Sequence, residues 1–254
     1  QVQGSFDDCQ ALEKDAMANP GLHERHRFSS ANSINIGRLL PQSIYYAYAS
    51  IRHHREFGRH ASFIVPTGNL GNAFACYLAR EMGLPIDEII LATNENRLIV
   101  DYLDGAEWAP RASLHTLASA MDVGNPSNME RLRAHGGEAD ELVGKVRALA
   151  VSDKEITADI ARNFMEFGYP TCPHTATATH VWRHLDDEER AARDWILVAT
   201  AHAAKFEQIV EPIIGQPVAI PDELAAILSR ERRFITIAPT MEALARALDK
   251  GFAN

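Results

Sequence analysis

The chain has 254 residues, a formal net charge of −9 at pH 7, 46% hydrophobic residues and 23% charged residues. This composition is ordinary for a globular protein and supplies enough apolar side chains for one large α/β domain or two small ones. The acidic balance argues against a nucleic-acid groove, and no apolar run approaches the about 18 residues of a membrane helix, so neither nucleic acid nor membrane is predicted as a partner.

The N-terminal part of the sequence predicts two helices. The first covers residues 7–18, with Asp7 or Asp8 as its N-cap, and the Asn-Pro-Gly run at 19–21 closes it. The second covers residues 39–57. Its apolar side carries Ile44, Tyr45, Tyr48 and Ile51.

Between these helices lies a polar stretch, residues 28–38, that opens the second helix. Asn32, Ser33 and Arg38 converge there, and an arginine fork at a helix start favours a phosphate or carboxylate. The alternative interpretation is that the Ser and Asn side chains only cap the helix and form turns, which is their commoner use.

Residues 61–80 are the segment around which the chain is organised. The apolar run 61–65 predicts a strand buried on both faces, and a helix follows from about Asn72 to Gly83. The turn between them, Thr67-Gly68-Asn69-Leu70-Gly71-Asn72, aims backbone N–H groups at one point, which favours a bound phosphate. The spacing is neither the dinucleotide fingerprint nor the Walker pattern, so an ordinary tight turn is the alternative.

The rest of the chain predicts further strands and helices. The strand at 87–94 ends in Thr93 and Asn94, and the strand at 195–200 ends in Thr200. Predicted helices cover residues 97–103, 129–135 with Ser127 as cap, 139–150, 156–167 after a Ser152–Glu155 capping box, 174–185, 206–214, 222–229 and 241–248, and a short strand covers 234–237. Alternating strands and helices predict an α/β parallel sheet, with the functional site at the edge where the polar strand ends meet.

Cysteine usage and the N-terminus give further expectations. Cys9, Cys76 and Cys172 are an odd number without metal-ligand spacing, so we predict reduced thiols, no metal site and a cytoplasmic protein. The chain begins with Gln1 and has no leader-like region. We therefore expect that it is part of a longer protein.

Several long motifs occur together, in order and at matching separations, and they resemble those of threonine synthase. They are residues 30–40 (SANSINIGRLL), 66–72 (PTGNLGN), 92–96 (ATNEN), 120–128 (AMDVGNPSN), 166–169 (EFGY) and 199–206 (ATAHAAKF). The resemblance implies a parallel-sheet α/β fold of the fold type II pyridoxal-phosphate enzymes, similar to the tryptophan synthase β subunit, with its N-terminal part missing. We expect residues 1–224 to be the cofactor-binding region and residues 225–254 to be a tail packed on it.

The resemblance also implies an activity. Threonine synthase is a carbon–oxygen lyase of threonine biosynthesis that converts O-phospho-L-homoserine and water to L-threonine and phosphate with pyridoxal 5′-phosphate. By this resemblance, Gly68, Asn69, Leu70, Gly71 and Asn72 would wrap the cofactor phosphate. Thr200 would face the pyridine nitrogen, Asn32, Ser33 and Arg38 would hold the substrate phosphate, and Thr67, Asn94, His202 and Lys205 would be neighbours of the site.

One departure from the family pattern concerns the lysine that forms the Schiff base with the cofactor. In the family this lysine lies in a Phe-Lys-Asp segment followed by a Ser-Gly-x-Thr-Gly loop, and this sequence contains neither. The family pattern gives Lys205 another role, and a surface lysine near a helix start is the simpler interpretation. His202 is either a neighbour of the ligand or a structural loop histidine, and the chain alone is expected to be inactive.

Two other functions stay open at this point. One is a related enzyme of the same fold, a threonine-synthase-like phospho-lyase or a serine or threonine dehydratase. The other is a non-catalytic fragment, which the missing lysine favours. The sequence leaves the oligomeric state open between a monomer and a homodimer.

Overall fold

Four parallel strands form one sheet in the computed structural model, which describes residues 1–228 and 230–251. The strands are β1 (Ala61–Pro66), β2 (Ile86–Thr93), β3 (Arg147–Ala150) and β4 (Asp194–Leu197). Their order is β3–β2–β1–β4, so β1 and β2 are central and β3 and β4 lie at the two edges. Because all pairs are parallel, the carboxyl ends of the strands meet at one edge of the sheet.

The helices of the described residues cover both faces of this sheet. In chain order they are α1 (Phe6–Ala18), α2 (Pro20–His26), α3 (Ile36–Leu39), α4 (Ser43–Phe57), α5 (Gly71–Glu81), α6 (Leu98–Leu103), α7 (Met129–Gly136), α8 (Ala139–Leu142), α9 (Asp153–Phe167), α10 (Pro173–His184), α11 (Asp187–Ala192), α12 (Glu207–Ile214), α13 (Asp222–Leu228) and α14 (Met241–Lys250). Short 3-10 turns cover Leu40–Gln42, Ser119–Met121 and Ala203–Phe206.

Two apolar clusters lie on opposite faces of the sheet, because successive strand side chains point to opposite sides. Phe63 and Val65 of β1 belong to the cluster that contains α5. Ile64 belongs to the cluster that contains Ile156 of α9 and Val181 of α10. Every residue of β1 is buried, which confirms the prediction of a strand covered on both faces.

Caps at the N-terminus differ from the sequence prediction. Ser5, rather than Asp7 or Asp8, caps α1, since its hydroxyl accepts the amide of Asp8 and the Asp8 carboxylate accepts the amide of Ser5. Asn19 then starts a second helix, because its side chain accepts the amide of Leu22 at 3.1 Å and Pro20 fits the first turn. The predicted closing turn is therefore a junction between two helices.

The helix predicted over residues 39–57 is broken, since α3 passes through a 3-10 turn containing Pro41 before α4 begins. The predicted buried side was wrong. Ile44, Tyr45 and Tyr48 are 64%, 71% and 67% exposed. The buried side chains of α4 are Tyr46 and Ser50, because the ring of Tyr46 packs on that of Phe63 of β1 at 5.2 Å.

The helix predicted over residues 139–150 was also wrong in its second half. After α8, a turn containing Gly144 leads into β3, which pairs with β2 from Ile90 to Thr93. Residues 147–150, Arg-Ala-Leu-Ala, are good helix formers, so pairing with the neighbouring strand has overridden their local preference.

Three smaller predictions need correction. Ser127 does not cap α7, whose cap position is Asn128. The strand predicted at 234–237 is only an isolated bridge between Ile237 and Val2. The strand predicted at 195–200 is β4, which ends at Leu197 and is half-exposed because it lies at an edge.

The C-terminal helices partly follow the predictions. The helix predicted at 222–229 is described up to Leu228, and its last predicted residue lies outside the described residues. Asp249 of α14 contacts His26 at 3.1 Å and Arg25 at 3.6 Å, which places α14 against α2. The division into residues 1–224 and 225–254 stays a prediction.

Candidate functional site

The loop between β1 and α5 holds a row of free backbone donors. Thr67 continues the hydrogen bonding of the sheet, since its amide donates to the carbonyl of Ala92 at 2.9 Å. The amide of Phe74 donates to the carbonyl of Leu70 and begins the hydrogen bonding of α5. Between them, the amides of residues 68 to 73 have no acceptor in the part of the chain that the structure describes. These donors surround the N-terminus of α5, so the loop is an anion site by its geometry.

Backbone conformation keeps these donors in place. Leu70 has φ +62° and ψ +3°, a left-handed conformation that a non-glycine residue seldom adopts. Its side chain is buried, and its carbonyl accepts the first helical hydrogen bond of α5. Burial of the leucine side chain therefore offsets a backbone cost of about 1–2 kcal/mol.

Two glycines are needed for packing rather than for a positive φ. A Cβ on Gly68 would lie 2.6 Å from the Cα of Met121 and 2.9 Å from its carbonyl oxygen. A Cβ on Gly71 would lie 2.8 Å from the Cβ of Ser33. The loop is thus in contact with two sequence-distant segments that leave no room for a side chain.

A polar network around Asn69 connects the loop to those segments. The side-chain oxygen of Asn69 accepts the amide of Ser127 at 2.7 Å, and its side-chain nitrogen donates to the hydroxyl of Ser33 at 3.2 Å. Asn128 donates to both the Ser33 hydroxyl and the Asn69 carbonyl at 2.8 Å. Arg131 donates to the carbonyls of Ser33 and Ile34. The segments around Ser33 and Asn128 are therefore joined to the loop and to each other by hydrogen bonds.

This loop forms one wall of a cavity of about 890 Å³ at the carboxyl edge of the sheet, which is in the range of small-molecule sites. Thr200, Lys205, Tyr46 and His174 also line this cavity. Among the lining residues of the described chain, Lys205 is the one charged side chain and no carboxylate is present. The cavity therefore favours an anion, although the chain as a whole is acidic.

All of the predicted cofactor residues line this cavity, namely Gly68, Asn69, Leu70, Gly71, Asn72 and Thr200. Ser33 from the predicted substrate site and the predicted neighbours Thr67 and Lys205 line it as well. Thr200 is held by its amide, which donates to the hydroxyl of Thr175 at 3.4 Å.

Four predicted residues lie outside the cavity lining. Asn32 accepts the amide of Ser33 at 2.6 Å and so positions its neighbour. Arg38 is exposed and donates its Nε to the carbonyl of Ala31. Asn94 is buried in a network with Asp122, and the Nδ1 of His202 accepts the amide of Ala204 at 3.1 Å, which is a capping role.

Tyr46 and His174 are lining residues that sequence reasoning did not select. The hydroxyl of Tyr46 donates to the side chain of Asn72 at 2.6 Å, and burial raises the pKa of Tyr46 well above its usual range, so it stays a donor. Burial lowers the pKa of His174 to about 4, so its imidazole is neutral. Neither residue belongs to a spaced motif, and only the folded contacts identify them.

All three cysteines are free thiols. Cys76 and Cys172 are buried and free, as predicted, while Cys9 is half-buried. Among residues 1–228 and 230–251, no three His, Cys, Asp or Glu side chains are placed to hold a metal ion. Within the same residues, no helix has the length and apolar character needed to cross a bilayer.

Comparisons with known proteins agree with the predicted resemblance. Residues 175–248 match the family model described as "Threonine synthase, C-terminal". The chain is 38% identical over 224 residues to the threonine synthase of Serratia marcescens, an alignment that covers 88% of this chain and 51% of that protein. The chain thus spans about half the length of the curated relatives it matches.

Solved structures give the same result for the fold. The crystal structure of threonine synthase from Escherichia coli superposes with a TM-score of 0.85 at 33% identity and covers 96% of this chain and 56% of that chain. The pyridoxal-phosphate-bound threonine synthase from Brucella melitensis gives a TM-score of 0.82 at 29% identity, covering 98% of this chain and 58% of that one. The predicted resemblance to threonine synthase and the predicted α/β fold of type II are confirmed.

Proposed function

We propose that this chain, which is similar to threonine synthases over most of its length, is the part of such an enzyme that holds pyridoxal 5′-phosphate by its phosphate group. The complete enzyme would convert O-phospho-L-homoserine and water to L-threonine and phosphate. When bound, the cofactor supplies an electron sink for carbanion chemistry on the amino acid. The remaining tasks, binding and orientation, are those of the protein side chains and amides.

The observation that carries this proposal is the row of unpaired amides at residues 68 to 73. A phosphate ester carries close to two negative charges and several acceptor oxygens, which suits these donors and the N-terminus of the 11-residue helix α5. No space for a side chain is left between Gly68 and Met121, so the loop packs closely against the segment that carries Met121. The donor set and the absence of carboxylates from the described lining residues both fit the cofactor phosphate.

Thr200 is the proposed partner of the pyridine nitrogen. It lines the same cavity as the loop, and its amide donates to the hydroxyl of Thr175 in α10. A hydroxyl is a neutral partner, so it would hydrogen-bond the ring nitrogen without contributing a full charge.

Ser33 and Arg38, with Asn32 as a positioning residue, are proposed to hold the phosphate of the substrate. Ser33 is fixed at the cavity by Asn69 and Asn128. Arg38 is exposed, and its terminal guanidinium nitrogens have no partner among the described residues. Free guanidinium donors and a fixed hydroxyl are both groups that bind a phosphate monoester.

The covalent lysine of the complete enzyme is proposed to be none of the lysines of this chain. Lys205 is the lysine that lines the cavity, yet it is exposed. Lys14 contacts Glu130 and Lys145 donates to the carbonyl of Gly136, so both are engaged elsewhere. On this proposal the chain alone binds the cofactor without a covalent link and forms no threonine.

Binding measurements with matched ligands test the function. The chain is titrated with pyridoxal 5′-phosphate and with pyridoxal, which lacks the phosphate, and binding is followed by tryptophan fluorescence and calorimetry. We expect measurable affinity for the phosphorylated form, competition by inorganic phosphate, and at least a tenfold weaker affinity for pyridoxal, since a few charge-assisted hydrogen bonds at about 1.5–3 kcal/mol each are lost. Equal affinity for the two ligands would remove the amide loop as the basis of the proposal.

A further inference from the structure

Asn72 brings a polar side chain to the start of α5. It is the second residue of that helix, it is half-buried, and it lines the cavity. The Cα–Cβ bonds of a helix tilt towards its N-terminus, so the side chain of Asn72 leans towards the turn that holds the free amides of residues 68 to 73. A side-chain amide therefore lies beside the donors of the proposed anion site.

The oxygen of this side chain is fixed by Tyr46 of α4. The phenol donates to Oδ1 of Asn72 at 2.6 Å, across 26 positions of the chain. Tyr46 is only 1% exposed, and its ring packs edge-on against that of Phe63 at 5.2 Å between centroids. The donor that meets the asparagine oxygen is therefore held in place by its own packing.

This hydrogen bond decides which way the amide of Asn72 faces. The Tyr46 hydroxyl has no other partner among residues 1–228 and 230–251. In the reversed orientation, with Nδ2 donating to the phenol oxygen, the hydrogen of the phenol would lack an acceptor, which is unfavourable for a buried donor. Burial also raises the pKa of Tyr46 well above its usual range, so the phenol keeps its hydrogen. Oδ1 therefore faces Tyr46, and Nδ2 faces away from it.

The nitrogen of the Asn72 side chain is a free donor that a ligand can reach. Nδ2 donates to no acceptor in the part of the chain that the structure describes. It is not one of the buried side-chain atoms that lack a partner, so it has accessible surface without any movement of the protein. A lining side chain whose oxygen is occupied and whose N–H groups are free favours an anion over a cation.

We infer that the side chain of Asn72 is a further donor to the phosphate bound by the backbone amides, and that Tyr46 is the positioning residue that turns Nδ2 towards it. This inference rests on the proposed function and adds a side-chain contact to a cofactor-phosphate site assigned so far to main-chain donors. Without the phenol, the amide can take either of two orientations, one of which presents Oδ1 to the anion and repels it. Tyr46 thus acts on the phosphate only through Asn72.

A double-mutant cycle tests this dependence. Tyr46→Phe removes the hydroxyl and keeps the ring against Phe63, and Asn72→Ala removes the amide. Tyr48→Phe is the matched control, since it makes the same change on the same helix at a side chain that is 67% exposed and is not among the lining residues of the cavity. Urea unfolding checks that each variant is folded, and calorimetry measures its affinity for pyridoxal 5′-phosphate and for pyridoxal.

We expect Asn72→Ala to weaken the affinity of the 254-residue chain for pyridoxal 5′-phosphate about tenfold or more, as for a lost hydrogen bond to a charged group. Tyr46→Phe should weaken it about three- to tenfold in the unmodified chain but less than about twofold in the Asn72→Ala background, because the two side chains act as a unit. Tyr48→Phe should leave it unchanged. Since pyridoxal lacks the phosphate, its affinity should stay the same in all of these variants.

Several results would overturn the inference while leaving the proposed function intact. They are an Asn72→Ala variant that binds as tightly as the unmodified chain, a Tyr46→Phe variant that binds like Tyr48→Phe, and a Tyr46→Phe loss that is the same with and without the Asn72 amide. Equal losses of affinity for pyridoxal 5′-phosphate and pyridoxal in Tyr46→Phe would assign Tyr46 a purely structural role and would also overturn it. Failure of the unmodified chain to bind pyridoxal 5′-phosphate would overturn the proposed function and this inference with it.

Proton–nitrogen NMR of the unmodified chain tests the same contact without a change at Tyr46. The side-chain NH2 resonances of Asn72, identified by their loss in Asn72→Ala, should move downfield in the proton dimension on saturation with inorganic phosphate, which has no aromatic ring to shift them. Sodium chloride at the same ionic strength is the control and should leave them in place. Resonances that do not respond to saturating phosphate, or that respond equally to chloride, would contradict the inference.

Discussion

Gly68→Ala is the substitution for which the structure gives the clearest quantitative expectation. The added Cβ would lie 2.6 Å from the Cα of Met121, whereas ordinary contact begins near 3.4 Å, so one of the two segments must move by 3.4 − 2.6 = 0.8 Å. Both are main chain, and no side-chain rotation relieves the overlap. Because overpacking of this kind costs about 1–3 kcal/mol, we expect a loss of that size in the free energy of unfolding.

The same movement should weaken ligand binding. An amide displaced by 0.8 Å from an ideal distance of about 2.9 Å is no longer within hydrogen-bond range of a phosphate oxygen. Loss of one charge-assisted hydrogen bond at about 1.5–3 kcal/mol predicts a 10- to 100-fold weaker affinity for pyridoxal 5′-phosphate. The assay is calorimetric titration of the folded variant, with urea unfolding on the same preparation.

A matched control is available in Gly144. It lies in the turn before β3, its φ is not in the left-handed region, and a Cβ there meets nothing within 4 Å. Gly144→Ala should therefore leave affinity unchanged and stability unchanged or raised by less than about 1 kcal/mol. If Gly68→Ala bound the ligand as tightly as the Gly144→Ala control, the amides would not be the phosphate site and the reasoning would be refuted.

Four further predictions concern His174, the N-cap of α9 and Lys205. Since burial lowers the pKa of His174 to about 4 from 6.5, the unfolded chain takes up a proton in that interval that the folded chain does not. The contribution of His174 to the free energy of unfolding is therefore present above pH 6.5 and is lost as the pH falls towards 4. It amounts to about 3 kcal/mol. Urea unfolding at pH 7, 5 and 4 should therefore show that acid lowers the free energy of unfolding less in His174→Gln than in the control His60→Gln. Equal decreases in the two variants would contradict this prediction. Ser152→Ala should lower the free energy of unfolding by about 1 kcal/mol because the cap of α9 is removed. Ser152→Thr keeps a hydroxyl at the cap and should retain most of that stability. Identical urea midpoints for the two variants would exclude a capping contribution. Lys205→Gln should weaken binding of pyridoxal 5′-phosphate about two- to fivefold at low salt, with the difference shrinking as sodium chloride is added. Borohydride treatment of the ligand-saturated chain should leave its mass unchanged, and a stoichiometric adduct on Lys205 would contradict the proposed non-covalent binding.

The central strand–turn–helix was predictable from sequence because several local signals agree there. The run 61–65 is apolar throughout, Gly68 and Gly71 mark the turn, and the helix that follows has a clear apolar stripe. The observed β1, loop and α5 match this prediction. The capping box at Ser152 was predictable for the same reason, since its two hydrogen bonds are local.

Other features depend on contacts between distant residues and could not be predicted from sequence. The apolar stripe of α4 suggested the wrong buried side, because Tyr46 is selected by its fit against Phe63 and Asn72. The strand β3 consists of helix-forming residues and exists through its pairing with β2. His174 stands in no motif, and its burial follows only from the folded contacts.

The hydrogen bonds around Asn69 have a consequence for folding. They join residues 36, 58 and 95 positions apart in the chain, so the anion loop reaches its final geometry only after long loops have closed. Contacts of such high contact order are expected to form late. A ligand that binds only when the segments around Ser33, Asn69 and Asn128 are together adds its binding free energy to their association. The cofactor would therefore stabilise the part of the chain that assembles last.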